Sequence, residues 1–228
     1  MEPQLKQLLN GKNLYKHHKK FWTREHIISL VWAIVLSIVA LLIQKYADAY
    51  VSNLKGVYVG DLILDHIPTI DLDIFIVQGA LVLSFITILI LILKPRYILF
   101  TVKSIALFII IRSFFISLTH LGVDPHQLQF DTSNIGYNLY NYLFNTSGDF
   151  FFSGHTGLPF LMFLIFWHEK FWRDLFLLIS IIFGISVLFA HIHYSIDVFA
   201  APFMVYGIFT ISRKIFLKDY ELLFKIHS

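Results

Sequence analysis

The sequence predicts an all-α, polytopic membrane protein with six transmembrane helices and both termini in the cytoplasm. Of its 228 residues, 57% are hydrophobic and only 14% are charged, whereas soluble domains average about 45–50% and about 25%. Hydrophobic runs recur at roughly the 17–25 residues that a helix needs to cross a bilayer. Lys and Arg residues concentrate in alternate connections between these runs, which is typical of a multi-pass protein.

The hydrophobic runs divide the chain into three parts. Residues 1–26 form a basic leader, residues 27–216 a six-helix transmembrane domain, and residues 217–228 a cytoplasmic tail. The predicted helices are Ile27–Ile43, Ile74–Leu93, Ile98–Leu118, Phe150–Trp167, Leu175–Ile192 and Tyr194–Ile211. Polar loops at 44–73 and 119–148 follow the first and third helices. The first run exceeds the roughly 7–15 residues of a signal-peptide core, so we interpret it as a membrane span.

The distribution of basic residues predicts the orientation. Fourteen of the 18 Lys and Arg residues lie in the leader, the tail and the connections after the second and fourth helices. Lys45 and Lys55 lie on the opposite side, and Lys103 and Arg112 lie within the third helix. We therefore place both termini in the cytoplasm and the two long loops outside. We expect Lys103 to extend to the cytoplasmic surface.

Charge and cysteine content narrow the possible functions. The net charge of +3 is small and dispersed, so it gives no indication of nucleic-acid binding. The chain has no Cys, which excludes disulfides, thiolate metal sites and a Cys nucleophile.

Two polar segments lie at the predicted outer ends of the fourth and sixth helices. They are Ser153-Gly154-His155-Thr156 and His193-Tyr194-Ser195-Ile196-Asp197. Both helices would run from outside to inside, so the topology places both segments in one leaflet. Ionisable groups at membrane depth are costly and therefore indicate a function.

The residue types in these segments suit phosphoryl transfer. His193 and Asp197 are four residues apart, so they share a face if the stretch is helical. The carboxylate can then fix the imidazole tautomer and leave the other nitrogen free to attack phosphorus. His155 is the candidate for protonating the departing oxygen. The helix start at Ser153-Gly154 favours a phosphate, and Arg112 lies in the same leaflet, where its side chain can bind phosphate oxygens.

Other interpretations remain open at this point. A single His near a helix end is usually an interfacial residue with a local hydrogen bond. If the stretch around His191 is extended, His191 and His193 could join His155 as metal ligands. A small lipid transporter or flippase would also contain intramembrane polar groups. That function predicts polar residues along the whole membrane depth, whereas 160–167 and 202–211 are nearly all apolar.

The same segments resemble a known family. Gly148–Thr156 and His191–Val198 are similar to the two signature segments of sphingomyelin synthases and their relatives, within the wider superfamily of lipid phosphate phosphatases. Arg112–Leu121 resembles the stretch after the family's third span, and Ile67–Asp71 is a weaker match to its first outer loop. The resemblance covers roughly residues 60–215.

The resemblance implies six spans, an outward-facing site and a His-His-Asp triad. His193 would be the nucleophile, Asp197 its orienting carboxylate and His155 the acid on the leaving group. A phospho-histidine intermediate would pass the phospho-headgroup of a donor phospholipid to an acceptor such as ceramide or diacylglycerol, or to water. Neither a cofactor nor a metal is expected. The expected substrate-binding residues are Arg112, Asp149, Ser153, Gly154 and Tyr194.

The sequence also departs from the phosphatases of this superfamily. Ala190-His191 lies near where they have a phosphate-binding Arg, and no Lys-to-Arg-Pro motif precedes the third helix. Fewer cations suit a phosphodiester monoanion better than a monoester dianion. This favours headgroup transfer over the alternative, dephosphorylation of lipids such as phosphatidic acid.

Overall fold

The computed structural model describes residues 11–54, 56–130, 135–144 and 151–224, and its regular structure is helical. The α-helices are α1 (Gly11–Phe21), α2 (Arg24–Ser52), α3 (Gly79–Leu93), α4 (Ile98–Leu118), α5 (Ile135–Phe144), α6 (Gly154–Ile165), α7 (Lys170–Phe189), α8 (Ser195–Ile215) and α9 (Leu217–Glu221). A π-helical turn at Ile74–Gln78 leads into α3, and 3-10 turns lie at Leu64–His66, Pro95–Tyr97 and Leu222–Phe224. The all-α prediction is confirmed.

Within the described residues, five helical segments are long and apolar enough to cross a membrane: Arg24–Ser52, Ile74–Leu93, Pro95–Leu118, Lys170–Phe189 and Ser195–Ile215. Many of their large apolar side chains are exposed, including those of Trp32, Phe85, Leu178 and Phe203. A helix that is apolar all round and not covered by protein is typical of a membrane environment. The chain is therefore an integral membrane protein.

The fourth predicted helix is much shorter than expected. Within residues 150–167 the structure has α6, which is only 12 residues long. At 1.5 Å per residue this is about 18 Å, less than the roughly 30 Å of a bilayer core. The side chain of Ser153 caps its start, and the chain turns at Phe166. The six-span count is thus not confirmed.

The first helix is longer than predicted and extends through residues 44–52, for which the sequence predicts a polar loop. Ala33, Ala40 and Ala47 are buried and follow one another at seven-residue spacing. Such small side chains form a seam on which two helices can pack closely, and the main partner of α2 is α4. Because the seam continues past Ile43, the helix continues with it.

Other boundaries also differ from the prediction, among them that of the sixth helix, which ends at Ile215 rather than Ile211. The fifth helix, α7, begins five residues earlier than expected and ends at Phe189 rather than Ile192. Helix α5 lies within the predicted 119–148 loop. The third helix, Ile98–Leu118, has the predicted bounds.

The two long connections cover the end of the bundle at which α8 begins. Ile70 N donates to Phe189 O over 2.8 Å, and Leu128 N donates to Ala190 O over 3.0 Å. Both connections therefore bind the backbone just before the His193 segment. We call this end of the bundle the site end.

The opposite end is held together by ion pairs. Glu169 Oε1, in the α6–α7 turn, lies 2.6 Å from Lys94 Nζ and 2.8 Å from Arg96 Nη2, in the α3–α4 turn. Burial alone would raise the pKa of Glu169, but the two cations hold this pKa below its usual value. These two basic turns are thus joined at one end, as the alternating charge pattern predicts.

The expectation that Lys103 extends to the cytoplasmic surface is wrong. It is 8% exposed, and its Nζ lies 2.5 Å from Asp219 Oδ2 and 2.8 Å from Ser29 Oγ. Ser29 Oγ in turn donates to Asp219 Oδ1 over 2.7 Å. A buried cation needs a partner, and Asp219 is the partner of Lys103. The network therefore joins α9 to α2 and α4.

Candidate active site

The two polar segments singled out in the sequence meet at the site end. Ser153 N, just before α6, donates to Asp197 O in the first turn of α8 over 2.9 Å. This bond fixes the starts of the two helices side by side. The rings of His155 and His193 consequently lie with their centroids 6.2 Å apart. Helices α6 and α8 also pack along each other.

Asp197 orients His193, although not through a shared helical face. Helix α8 begins at Ser195, so His193 lies two residues before it. Asp197 is 0% exposed, and its Oδ2 reaches back to His193 Nδ1 at 3.3 Å and accepts from Tyr194 N at 3.2 Å. A carboxylate at this third helical position commonly binds the free N–H groups at a helix start. Nε2 is therefore the ring nitrogen of His193 that Asp197 does not contact.

Asp61, which sequence reasoning did not single out, holds this segment from the other side. Its Oδ2 accepts from Ser195 N at 2.6 Å, and its Oδ1 accepts from Ile63 N and Leu64 N at 2.9 and 3.1 Å. Burial would raise the pKa of Asp61, but these N–H donors outweigh it and lower this pKa below 3.8. In the sequence, Asp61 is one of several Asp residues in the same polar segment, and nothing distinguishes it from the others.

Tyr194, an expected substrate-binding residue, does not line the cavity at this site. It is 3% exposed, and its hydroxyl donates to Gly122 O over 2.7 Å. Its ring stacks on Tyr58 with centroids 5.6 Å apart. Tyr194 thus fastens the chain beside His193 to the loop after α4.

His155 lies in the first turn of α6, where Ser153 is the capping residue and its side chain accepts from Thr156 N. The Nε2 atom of His155 is 2.7 Å from the hydroxyl of Tyr140 on α5. Phe183 packs edge-on against the His155 ring at 6.0 Å. Tyr140 was not identified from the sequence, because it lies 15 residues away in what reads as a polar loop.

Arg112 lies under the start of α6. It is 7% exposed, and its Nε donates to Phe152 O over 3.1 Å. A Cβ atom on Gly154 would stand 3.6 Å from Arg112 Cζ, so the guanidinium lies against the backbone at this glycine. A cation is thereby placed at a helix N-terminus, where the backbone N–H groups also favour an anion.

Unusual backbone conformations occur in both segments. Phe152 has φ of +25° and His191 has φ of +55°, in a region that non-glycine residues rarely adopt. Phe152 is fully buried, with Phe108 packed edge-on at 5.5 Å. Such conformations persist only where the surrounding structure holds them, and they concentrate at functional sites.

Arg112, His155 and His193 line a cavity of about 210 Å³. Its polar lining includes Arg112, Ser113, Gln127, His155 and His193, together with the backbone at Gly154. Gln44 and Ser84 are also part of the lining. The remaining lining residues are apolar and come from α2, α3, α4, α6, α7 and the stretch just before His193: Leu41, Ala80, Leu83, Ile105, Phe108, Ile109, Leu158, Pro159, Phe183 and Ile192. A polar end joined to an apolar body is suited to an amphiphilic ligand.

The structure separates His191 from this cavity. His191 is 4% exposed, and its Nδ1 lies 3.3 Å from Asp124 Oδ2. Within the described ranges no group of three His, Asp or Glu side chains is arranged to hold a metal ion. The alternative in which His191 joins His155 and His193 as metal ligands is therefore not supported.

Two other expected substrate-binding residues have different positions. Ser153 is fully buried and acts as the α6 cap, while Gly154 borders the cavity. Asp149 lies outside the described residues.

Comparison with known proteins gives one match, and it covers the part of the chain that contains the two polar segments. Residues 146–214, which include both polar segments, match the family model described as PAP2 superfamily C-terminal. No curated protein and no solved structure matches the chain. This match covers less than half of the chain, and it shows that the part containing both polar segments is similar to the C-terminal part of the PAP2 superfamily.

Proposed function

We propose that this protein is a membrane lipid phosphotransferase that moves a phospho-headgroup from a phospholipid to a lipid alcohol. The observation that carries the proposal is that His155, His193 and Arg112 line one cavity, with the buried carboxylate of Asp197 behind His193. Two histidines and one carboxylate are the groups that covalent phosphoryl transfer needs. The resemblance to sphingomyelin synthases supports a ceramide or diacylglycerol type of acceptor.

In the first half-reaction His193 Nε2 attacks phosphorus. The N–P bond forms, and the bond between phosphorus and the lipid oxygen breaks with its electron pair on that oxygen. His155 then gives a proton to this oxygen, so that a neutral alcohol leaves. Asp197 stabilises the charge on the His193 ring, and Arg112 faces the phosphate oxygens.

In the second half-reaction the acceptor hydroxyl attacks the phospho-histidine. His155 takes the hydroxyl proton, the new O–P bond forms, and the N–P electron pair returns to His193. If water replaces the alcohol, the same steps hydrolyse the phosphodiester. The site is regenerated in either case.

The charge of the lining favours a phosphodiester over a monoester. Among the described residues, the cavity contains one Arg and no Lys. A single guanidinium matches the one negative charge of a diester, whereas a monoester dianion needs more cationic partners. The mainly apolar lining fits the hydrocarbon chains of the donor and acceptor. By the positive-inside rule we assign the site end to the extracytoplasmic face.

The test is a transfer assay with purified protein in detergent micelles. Labelled choline, ethanolamine and inositol phospholipids are supplied with and without ceramide or diacylglycerol, and the lipid products are separated. We expect a labelled headgroup on the acceptor, and an acid-labile protein-bound phosphate when the acceptor is omitted. His193→Ala and His155→Ala should each reduce turnover by at least about 10²-fold.

His126→Ala is the matched control, because the His126 side chain is 79% exposed and does not line the cavity. It should retain wild-type turnover. Wild-type rates in both His193→Ala and His155→Ala would refute the proposal. Release of inorganic phosphate from phosphatidic acid as the main activity would instead establish the phosphatase alternative.

A further inference from the structure

The hydrogen bond between Tyr140 and His155 assigns a role to a residue outside both polar segments. We propose that Tyr140 is a positioning residue, which holds His155 so that Nδ1 is the nitrogen exchanging protons with the substrate. The inference rests on the proposed function, because it concerns the acid of that reaction.

The position of Tyr140 is well defined by its surroundings. It is 1% exposed and belongs to an apolar cluster with the buried side chains of Val77 and Ala80. Phe130 and Tyr137 lie beside it, each with its ring centroid 6.4 Å from that of Tyr140. The phenol is therefore held by packing on several sides, and its hydroxyl is directed at His155 Nε2 at 2.7 Å.

This bond decides which nitrogen of His155 is available for catalysis. With Nε2 bound to Tyr140, the remaining nitrogen of a ring that lines the cavity is Nδ1. In the proposed reaction His155 alternates between the imidazolium and a neutral ring. A phenol oxygen that accepts from Nε2–H in both states retains that proton, so the proton that moves is the one on Nδ1.

The two histidines then have complementary arrangements. Asp197 binds Nδ1 of His193 and leaves Nε2 for phosphorus, while Tyr140 binds Nε2 of His155 and leaves Nδ1 for the oxygen. A charged partner suits His193, which becomes cationic on attack. A neutral phenol suits His155, because it fixes the ring without adding a negative charge that would hold back the proton.

Tyr140→Phe tests the inference, because it removes the hydroxyl and keeps the ring that packs on Phe130. We expect kcat for phospholipid to fall by roughly 10- to 100-fold, the range for a hydrogen bond to a charged group, with KM changed by less than about 2-fold. Tyr137→Phe is the matched control in the same cluster, and it should keep wild-type kinetics.

A second substrate separates positioning from a general structural effect. A lipid phosphodiester with a p-nitrophenol leaving group needs no protonation of the departing oxygen. The first-turnover burst of p-nitrophenolate should therefore be nearly normal in Tyr140→Phe and in His155→Ala, and absent in His193→Ala. Because the ratio of rates on the two substrates does not depend on the folded fraction, it remains valid if Tyr140→Phe lowers the yield.

The outcomes distinguish the two proposals. If Tyr140→Phe equals wild type on the phospholipid, or slows both substrates equally, the positioning role is wrong. If His155→Ala and His193→Ala both retain full activity, the proposed function itself fails.

Discussion

Replacement of Asp197 by Asn is the sharpest test of how His193 is activated. The amide has the size of the carboxylate, but it lacks the charge and carries an NH₂ group in place of one oxygen. Tyr194 N donates to Asp197 Oδ2, so the amide oxygen, and not the NH₂ group, must occupy that position. The oxygen can still accept from His193 Nδ1, and the tautomer is retained. The substitution thus removes the charge and keeps both hydrogen bonds of Oδ2.

The expected magnitude follows from these contacts. A hydrogen bond to a charged group contributes about 1.5–3 kcal/mol and one between neutral groups about 0.5–1.5 kcal/mol. The difference predicts a fall in kcat of roughly 10-fold for Asp197→Asn. Asp197→Ala also releases the ring and leaves Tyr194 N without this acceptor. We expect a fall of about 10³-fold or more, as when a Ser-His-Asp triad loses its carboxylate.

The assay compares kcat and the thermal unfolding midpoint of wild type, Asp197→Asn and Asp197→Ala in the same micelles. The order wild type, Asn, Ala in kcat supports the reasoning. An Asn variant within 2-fold of wild type would show that the charge on Asp197 does not act on His193. If Asp197→Asn and Asp197→Ala lose kcat equally and have equal unfolding midpoints, then fixing the His193 tautomer contributes nothing to kcat beyond the effect of the charge.

Two other predictions concern stability. Lys103→Met should destabilise the fold by about 3–5 kcal/mol, because it leaves the buried Asp219 carboxylate without its cation. The double variant Lys103→Met with Asp219→Leu should recover most of this loss. Thermal unfolding in micelles measures both variants, and a single variant as stable as wild type would refute a structural ion pair. Asp61→Ala should cost about 1–2 kcal/mol at neutral pH, since Ser195 N loses its acceptor. The folded-state pKa of Asp61 lies below 3.8, so its contribution is complete above that pH and is lost as the pH falls through the folded-state value. The difference in unfolding midpoint between wild type and Asp61→Ala should therefore shrink below about pH 4, and a difference independent of pH would contradict this account.

The membrane helices were largely predictable because hydrophobicity is a property of consecutive residues. The third helix has the predicted bounds, Ile98–Leu118. The errors occur where packing on another helix overrides composition: α2 continues past Ile43 because its alanine seam lies on α4. Helix α6 is short because the chain before it turns at Ser153 to bind the start of α8. Neither effect is visible in a hydropathy pattern.

The candidate site was also predictable in part, in its residues but not in all of its contacts. His155, His193 and Asp197 stood out because polar groups are rare in apolar runs, and their spacing predicted the contact between His193 and Asp197. The route of that contact differed, since it forms at a helix start rather than along a helix. Tyr140 and Asp61 gave no signal, because they act through contacts over 15 and 134 positions of the chain.

The sequence by itself determined that this is a helical membrane protein and which residues are candidates for the site, because both follow from local composition and spacing. Tertiary structure alone decided that Arg112 lies at the start of α6, that Tyr194 and Ser153 bind backbone, and that Tyr140 meets His155. Apart from the Ser153 cap, these contacts join different segments of the chain. They depend on how whole helices pack, and packing is set by the complementarity of many side chains rather than by any local pattern.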